Sequence, residues 1–204
     1  MEYTVKNYYT KNLSNYDDYR ALGWETQEAQ TKRFEVLLKN ADLKNKTLLD
    51  IGCGLGDLYG FLKSFNIPVS YLGTDIMSEM IEKAKQKYPR ALFIHEDILN
   101  NNTAMELFPE NSFDVVFSSG IFNLKTSNSN SFLRESLIIF KHLARTKIVF
   151  NLLSNNSQNK EDAYCYYEPK QIDTMLRQLK FDKNSIHFIQ DYLPNDFTVI
   201  IDLQ

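Results

Sequence analysis

The chain has 204 residues, enough for one domain with a sizeable core. Hydrophobic residues make up 43% and charged residues 24%, as in a soluble globular protein, and the net charge of -3 speaks against a nucleic-acid partner, which needs a basic face. Two cysteines without a CxxC pair, and no apolar run near the ~20 residues that span a bilayer, give no reason to expect a disulfide framework, a structural zinc site or a membrane helix.

The opening stretch "MEYTVKNYYTKN" is polar and aromatic. It has no apolar segment of the signal-peptide kind, so the cytoplasm is the expected location. A helix follows over about Thr26 to Asn40. "TLLDI" (47–51) is a short apolar run and reads as a buried strand. It ends in the glycine turn "GCGLG" (52–56). "DLYGFLKSF" (57–65) carries Leu58, Phe61, Leu62 and Phe65 at helical spacing. "VSYLGTD" (69–75) is the second strand. "SEMIEKAKQKY" (78–88) is a helix with Ser78 as its expected N-cap and Pro89 as its stop.

"ALFIHED" (91–97) is the third strand, and "NNN" at Asn100 to Asn102 reads as a polar loop. "FDVVFSS" (113–119) is the fourth strand, a helix covers about Ser129 to Leu143, and "TKIVFNLL" (146–153) is the fifth strand. Pro169 opens a helix over 169–179. "SIHFIQ" (185–190) and "FTVIIDL" (197–203) are joined by a connector fit only for a hairpin.

Strand and helix alternate, so the fold class is α/β. The expectation is a Rossmann-like, seven-stranded, mostly parallel sheet with a C-terminal antiparallel strand and helices on both faces. Residues 1–204 read as one domain, with 1–45 an N-terminal lid and helix and 46–204 the core. A ligand belongs at the carboxyl ends of the strands, where the winding direction switches.

The glycine spacing narrows the ligand. A Walker loop needs GxxxxGK[ST], and no such lysine pair follows. A dinucleotide fingerprint needs GxGxxG, but Asp57 stands where its third glycine would be. A ligand without a pyrophosphate therefore fits. Asp75 ends the second strand, where a carboxylate accepts hydrogen bonds from two ribose hydroxyls. The competing reading is a charge at the start of the next helix. Asp97 ends the third strand and is placed either to read an adenine edge or to cap its loop.

"LLDIGCGLG", "YLGTDIM", "HEDI" and "FDVVFSSGIFN", in this order and spacing, resemble the class I S-adenosylmethionine-dependent methyltransferases from about Lys46 to Leu203. The resemblance implies S-adenosylmethionine as cofactor. The absence of a metal is read from the residues, which offer no carboxylate set for a magnesium-dependent enzyme. The resemblance implies that Asp50, Gly52, Cys53 and Gly54 line the methionine part, and that Asp75 holds the ribose. Ile76 and Met77 then lie beside the adenine, whose edge meets Asp97 and Ile98. Ser119, Gly120 and Ile121 would pass under the transferable methyl. Arg20 is placed either against the methionine carboxylate, as in some relatives, or at the surface. Cys53 reads as a small loop residue, not a nucleophile.

Two polar segments concentrate tyrosines, before the first expected helix and after the fifth strand. Tyr9, Tyr16, Trp24, Tyr164 and Tyr167 are candidates for a lid over the substrate, with packing of the lid as the alternative for each. Asn123 and Asn151 are candidates to orient a substrate amine or hydroxyl. No general base stands out; Asn123, Tyr166 and His95 are the catalytic candidates. "SSGIFN" is not the [DN]PP[YF] of enzymes that methylate amines of bases. A small molecule, methylated at O or N, is the expected acceptor. The competing expectation is a non-catalytic cofactor-binding module or partner subunit.

Overall fold

The computed structural model describes residues 2–203, and their side chains apart from those of 2–4, 101 and 102. One sheet of seven strands forms its centre: β1 (Thr47–Ile51), β2 (Ser70–Asp75), β3 (Leu92–His95), β4 (Phe113–Ser118), β5 (Ala144–Leu153), β6 (Ile186–Ile189) and β7 (Asp196–Asp202). The strand order is β3-β2-β1-β4-β5-β7-β6. Strands β1 to β5 pair in parallel, and β7 runs antiparallel to both β5 and β6. The chain winds outward from β1 through β2 to β3, then returns to the other side at β4. A crevice must open above the carboxyl ends of β1 and β4, where the two directions part.

Helices α1 (Glu2–Leu13), α2 (Gln27–Asn40), α3 (Asp57–Ser64), α4 (Ser78–Lys87), α5 (Asn101–Leu107), α6 (Ser129–Leu143) and α7 (Pro169–Gln178) surround the sheet. Alternation along the strands divides the core. Leu48, Phe117, Val149 and Ile200 pack with α2, α3 and α4 on one face. Leu49, Val116, Ile148 and Phe150 pack with α6 and α7 on the other. Successive strand residues point to opposite faces, so a doubly covered strand must be apolar at nearly every position. The burial of β1 and β4 shows this.

Local signals set several boundaries. Thr26 caps α2, its hydroxyl accepting from the Ala29 N–H at 3.0 Å. Pro169 supplies a preset φ in the first turn of α7. At α4 the N-cap is Met77 rather than Ser78, and the Ser78 hydroxyl turns to Glu79. The capping role passes to Asp75, whose Oδ1 accepts from the Met77 N–H at 2.9 Å. Phe65 falls past the end of α3 and is 60% exposed, outside the stripe to which helical spacing assigned it.

Two helices lie where sequence periodicity marks none. α1 is polar overall, and its Tyr9 and Leu13 pack on Ala21, Leu55, Met77 and Met80. α5 replaces the expected "NNN" loop; it buries Ala104 against the α6 side of the core. Both form on tertiary contacts rather than on an apolar stripe of their own. The third strand is also shorter than expected, so Asp97 lies in the loop beyond β3. Among the described residues no helix is long and apolar enough to cross a membrane.

Phe150 is fully buried on β5, with ring centroids of Phe122 and Phe140 at 6.1 and 6.4 Å. Phe150→Ala should cost about 3–5 kcal/mol. Urea denaturation should show a lower midpoint with an unchanged slope.

Candidate active site

The turn after β1 is tight because its glycines sit at φ values that other residues avoid: 74° at Gly52 and 53° at Gly54. Space also demands glycine at position 52. A Cβ there would lie 2.2 Å from Ile121 Cγ2, in the loop after β4. The turn is tied down through backbone N–H groups. Gly52 and Cys53 donate to the Thr74 carbonyl at 2.8 and 3.0 Å. Gly54 donates to Asp75 Oδ2 at 2.9 Å. Asp75 therefore receives one backbone N–H on each oxygen, from Gly54 and from Met77. A carboxylate oxygen has a second lone pair, so each keeps accepting capacity. Burial raises the Asp75 acid above its ordinary value, against the pull of these N–H groups.

Asp50 lies on β1 directly before the turn and is 3% exposed. Tyr71 donates to its Oδ2 at 2.6 Å. Burial outweighs that hydrogen bond and raises its pKa from 3.8 to about 7. Burial likewise pushes the Cys53 thiol up, which makes it a poor nucleophile.

These groups line a cavity of about 370 Å³ in the crevice above β1 and β4. Its wall includes Asp50, Gly52, Cys53, Gly54, Asp75, Ile76, Met77, Asp97, Ile98 and Ser119. Tyr9 and Trp24, from the N-terminal segment, and Tyr167, which precedes α7, also face it. The Thr74 and Ser119 hydroxyls are buried in the wall without a protein partner. A polar ligand is the natural partner for such groups. Asp57, Glu96, Asp97, Asp50 and Asp75 are the charged side chains among the described lining residues, and no lysine or arginine is among them.

The structure keeps the other candidates out of the lining. The Arg20 guanidinium is held by Asp18 at 2.6 Å, lies over the Tyr16 ring and stays exposed. Tyr16 is 41% exposed. Asn151 is buried, and its amide nitrogen donates to both oxygens of Asp196 at 3.3 and 3.2 Å. Asn123 sits behind Gly120, its carbonyl accepting from the Cys165 N–H at 2.7 Å. Tyr164 meets the Tyr8 hydroxyl at 3.3 Å, and Tyr166 accepts from the Glu161 N–H at 2.9 Å. The exposed His95 ring places Nε2 3.2 Å from the Ile76 carbonyl. All but Asn123 have side chains held by partners that strand and helix spacing do not reveal; the Asn123 side-chain oxygen is buried without one.

Sequence reasoning missed part of the wall. Val5 and Leu22 close it from the N-terminal side, and Leu99, Leu124, Thr126 and Phe132 extend it beyond Ile98. Those positions carry no motif. Their signal is the fold itself, which brings the loops after β3 and β4 face to face.

Residues 48–142 match the family described as methyltransferase domain. A provisionally named methyltransferase of Mycobacterium tuberculosis is 24% identical over 159 residues, covering 74% of this chain and 90% of that protein. A second such relative, from Invertebrate iridescent virus 6, is 38% identical over 74 residues, 36% of this chain; the match spans only about a quarter of the viral protein, 26%. Among solved structures, the magnesium protoporphyrin IX methyltransferase of Synechocystis, with bound S-adenosylhomocysteine, superposes with a TM-score of 0.69 at 14% identity, covering 100% of both chains. A S-adenosylmethionine-dependent methyltransferase from Aquifex aeolicus gives 0.64 at 16% identity, over 93% of this chain and 100% of that one. Those likenesses carry the fold, and the match over 48–142 carries the domain that holds the glycine turn. The chain thus shares its fold with solved S-adenosylmethionine-dependent methyltransferases and matches the methyltransferase domain over 48–142.

Proposed function

We propose that the chain moves a methyl group from S-adenosylmethionine to an oxygen or nitrogen of a small organic acceptor. The observation that carries this reading is Asp75. Its carboxylate is fixed by two backbone N–H groups, faces the cavity and retains capacity for two hydroxyl donors. A ribose diol fits that description. Asp97 and Ile98 then meet the adenine edge, with Ile76 and Met77 beside its ring. Asp50, Gly52, Cys53 and Gly54 take the methionine part, and Ser119, Gly120 and Ile121 lie beneath the methyl.

When bound, S-adenosylmethionine supplies an electrophilic methyl on a sulfonium. The chain's own part is positioning and enclosure. Gly52 and Ile121 shape the floor, while Tyr9 and Trp24 close the space from the N-terminal side. Aromatic faces attract a cation and exclude water. Aligning the acceptor with the methyl supplies much of the acceleration in such a displacement. Among the described lining residues there is no histidine or lysine to act as a strong base. We place the protein in the cytoplasm. Its overall negative charge and the lack of lysine or arginine among the described lining residues favour a small acceptor over a nucleic acid.

The test is incubation of the pure chain with methyl-labelled S-adenosylmethionine and a metabolite extract, beside thermal melts with S-adenosylhomocysteine or NAD. A labelled product and selective stabilisation by S-adenosylhomocysteine are expected. Stabilisation by NAD alone would overturn the reading. Stabilisation by S-adenosylhomocysteine without transfer would make the chain a binding module.

Asp75→Ala should weaken S-adenosylhomocysteine binding by about 10- to 100-fold in calorimetry, the effect of losing hydrogen bonds to a charged group.

Asp50 sets a pH dependence of stability. Its acid is protonated in both states below pH 3.8, but above that the unfolded chain releases a proton which the folded protein keeps up to about pH 7. Its contribution to stability is therefore lost as pH rises through that window. Asp50→Asn does not titrate. Urea denaturation at a series of pH values should show the variant gaining on the wild type from pH 4 to about pH 7 and levelling off above it.

A further inference from the structure

Trp24 is the single tryptophan of the chain, and it lies on the cavity wall. Its position is fixed from two sides. The Arg33 guanidinium carbon stands 4.3 Å from the centre of its ring. On another side it abuts Gly120, where a Cβ would lie 2.9 Å from Trp24 Cη2. The neighbouring Ile121 presses on Gly52 in the same way. The loop after β4 thus runs between the glycine turn and Trp24. In the proposed arrangement the cofactor's methionine part lies on the Gly52 side, and Trp24 stands on the acceptor side.

Arg33 is itself held from far away in sequence. Its guanidinium pairs with Asp196, 163 residues on, and the two side chains are 3% and 0% exposed. Arg33 Nη1 also donates to the Ala29 carbonyl at 2.6 Å. Asp196 is gripped in turn by Asn151 and by the Tyr192 hydroxyl at 2.6 Å, to which Thr198 donates at 2.8 Å. β7 is antiparallel, so its first residue, Asp196, arrives at the carboxyl edge of the sheet.

A buried ion pair is a poor device for stability alone, because the lost hydration cancels most of the attraction. It does hold a planar guanidinium at a fixed place and tilt. Arg33 Nε remains without a partner, so its network does not maximise hydrogen bonding. What the pair achieves is a rigid cation against one indole.

We propose that Arg33 and Asp196 are positioning residues for methyl transfer, fixing Trp24 as the rigid acceptor-side wall of the cavity. The proposal rests on the methyltransferase reading above. Trp24 touches the acceptor, and the ion pair acts through it.

The experiment compares the wild type with Arg33→Lys, which keeps the ion pair but loses the planar stack. A double variant, Arg33→Met with Asp196→Leu, removes both charges and preserves an apolar interior should the single variant fail to fold. Three quantities are read: acrylamide quenching of Trp24 emission, calorimetric affinity for S-adenosylhomocysteine, and labelled methyl transfer with the extract. The variants should keep the affinity within about threefold, quench at least about threefold more readily, and transfer about tenfold more slowly, as loss of a desolvated cation–π contact allows. Unchanged quenching, or looser Trp24 with unchanged transfer, overturns the proposal. Wild-type protein that neither binds S-adenosylhomocysteine nor transfers methyl defeats the enzyme reading instead, and quenching alone then decides whether the pair holds Trp24.

Discussion

The carboxylate of Asp75 is the point on which the upper edge of the sheet depends. It ends β2, receives the Gly54 N–H from the turn after β1, and receives the Met77 N–H that starts α4. One side chain therefore joins a strand, a loop and a helix. The neighbouring Thr74 carbonyl accepts two further N–H groups from the same turn. Without these bonds the left-handed glycines would have little to hold them in a single shape. A flexible turn cannot offer a ligand a defined backbone surface.

The same carboxylate shows how two readings of one residue combine. A helix-start charge and a ribose acceptor were opposed as explanations of Asp75. The structure shows the first role directly, and its geometry leaves room for the second, since each oxygen has given up only one lone pair. Burial works against the charge at both Asp75 and Asp50. At Asp50 it prevails over the Tyr71 hydrogen bond, so that one wall of the cavity changes charge near neutral pH.

Much of the sheet was legible because its signals are local. The run 47–51, its glycines and the acid ending β2 lie within one strand–turn–helix–strand unit, and the period-2 alternation of side-chain direction sets which residues enter which half of the core. Of the residues marked for the cofactor, all but Arg20 line the cavity. Asp18, two residues away, captures its guanidinium. Asn151 was placed correctly near the end of β5, yet its amide is taken by Asp196, 45 residues later. The roof was least legible. Tyr9 was marked as a lid candidate and lines the cavity, but α1 has no apolar face to announce it, and Val5 and Leu22 carry no motif. Spacing finds residues that share an element. It does not find partners that meet only when the sheet closes.

The antiparallel last strand also has a bearing on synthesis. β7 slides between β5 and β6, so the final stretch of the fold is an interior strand rather than an added edge. Domains begin to fold from the N-terminus as the chain emerges. The bonds that tie the glycine turn to the Asp75 carboxylate and the Thr74 carbonyl all lie within the first 77 residues. The wall behind Trp24 does not, since Arg33 waits for Asp196. A nascent chain on the ribosome would thus hold the anchor of the glycine turn long before the wall behind Trp24, and the cavity is completed from its oldest half to its newest.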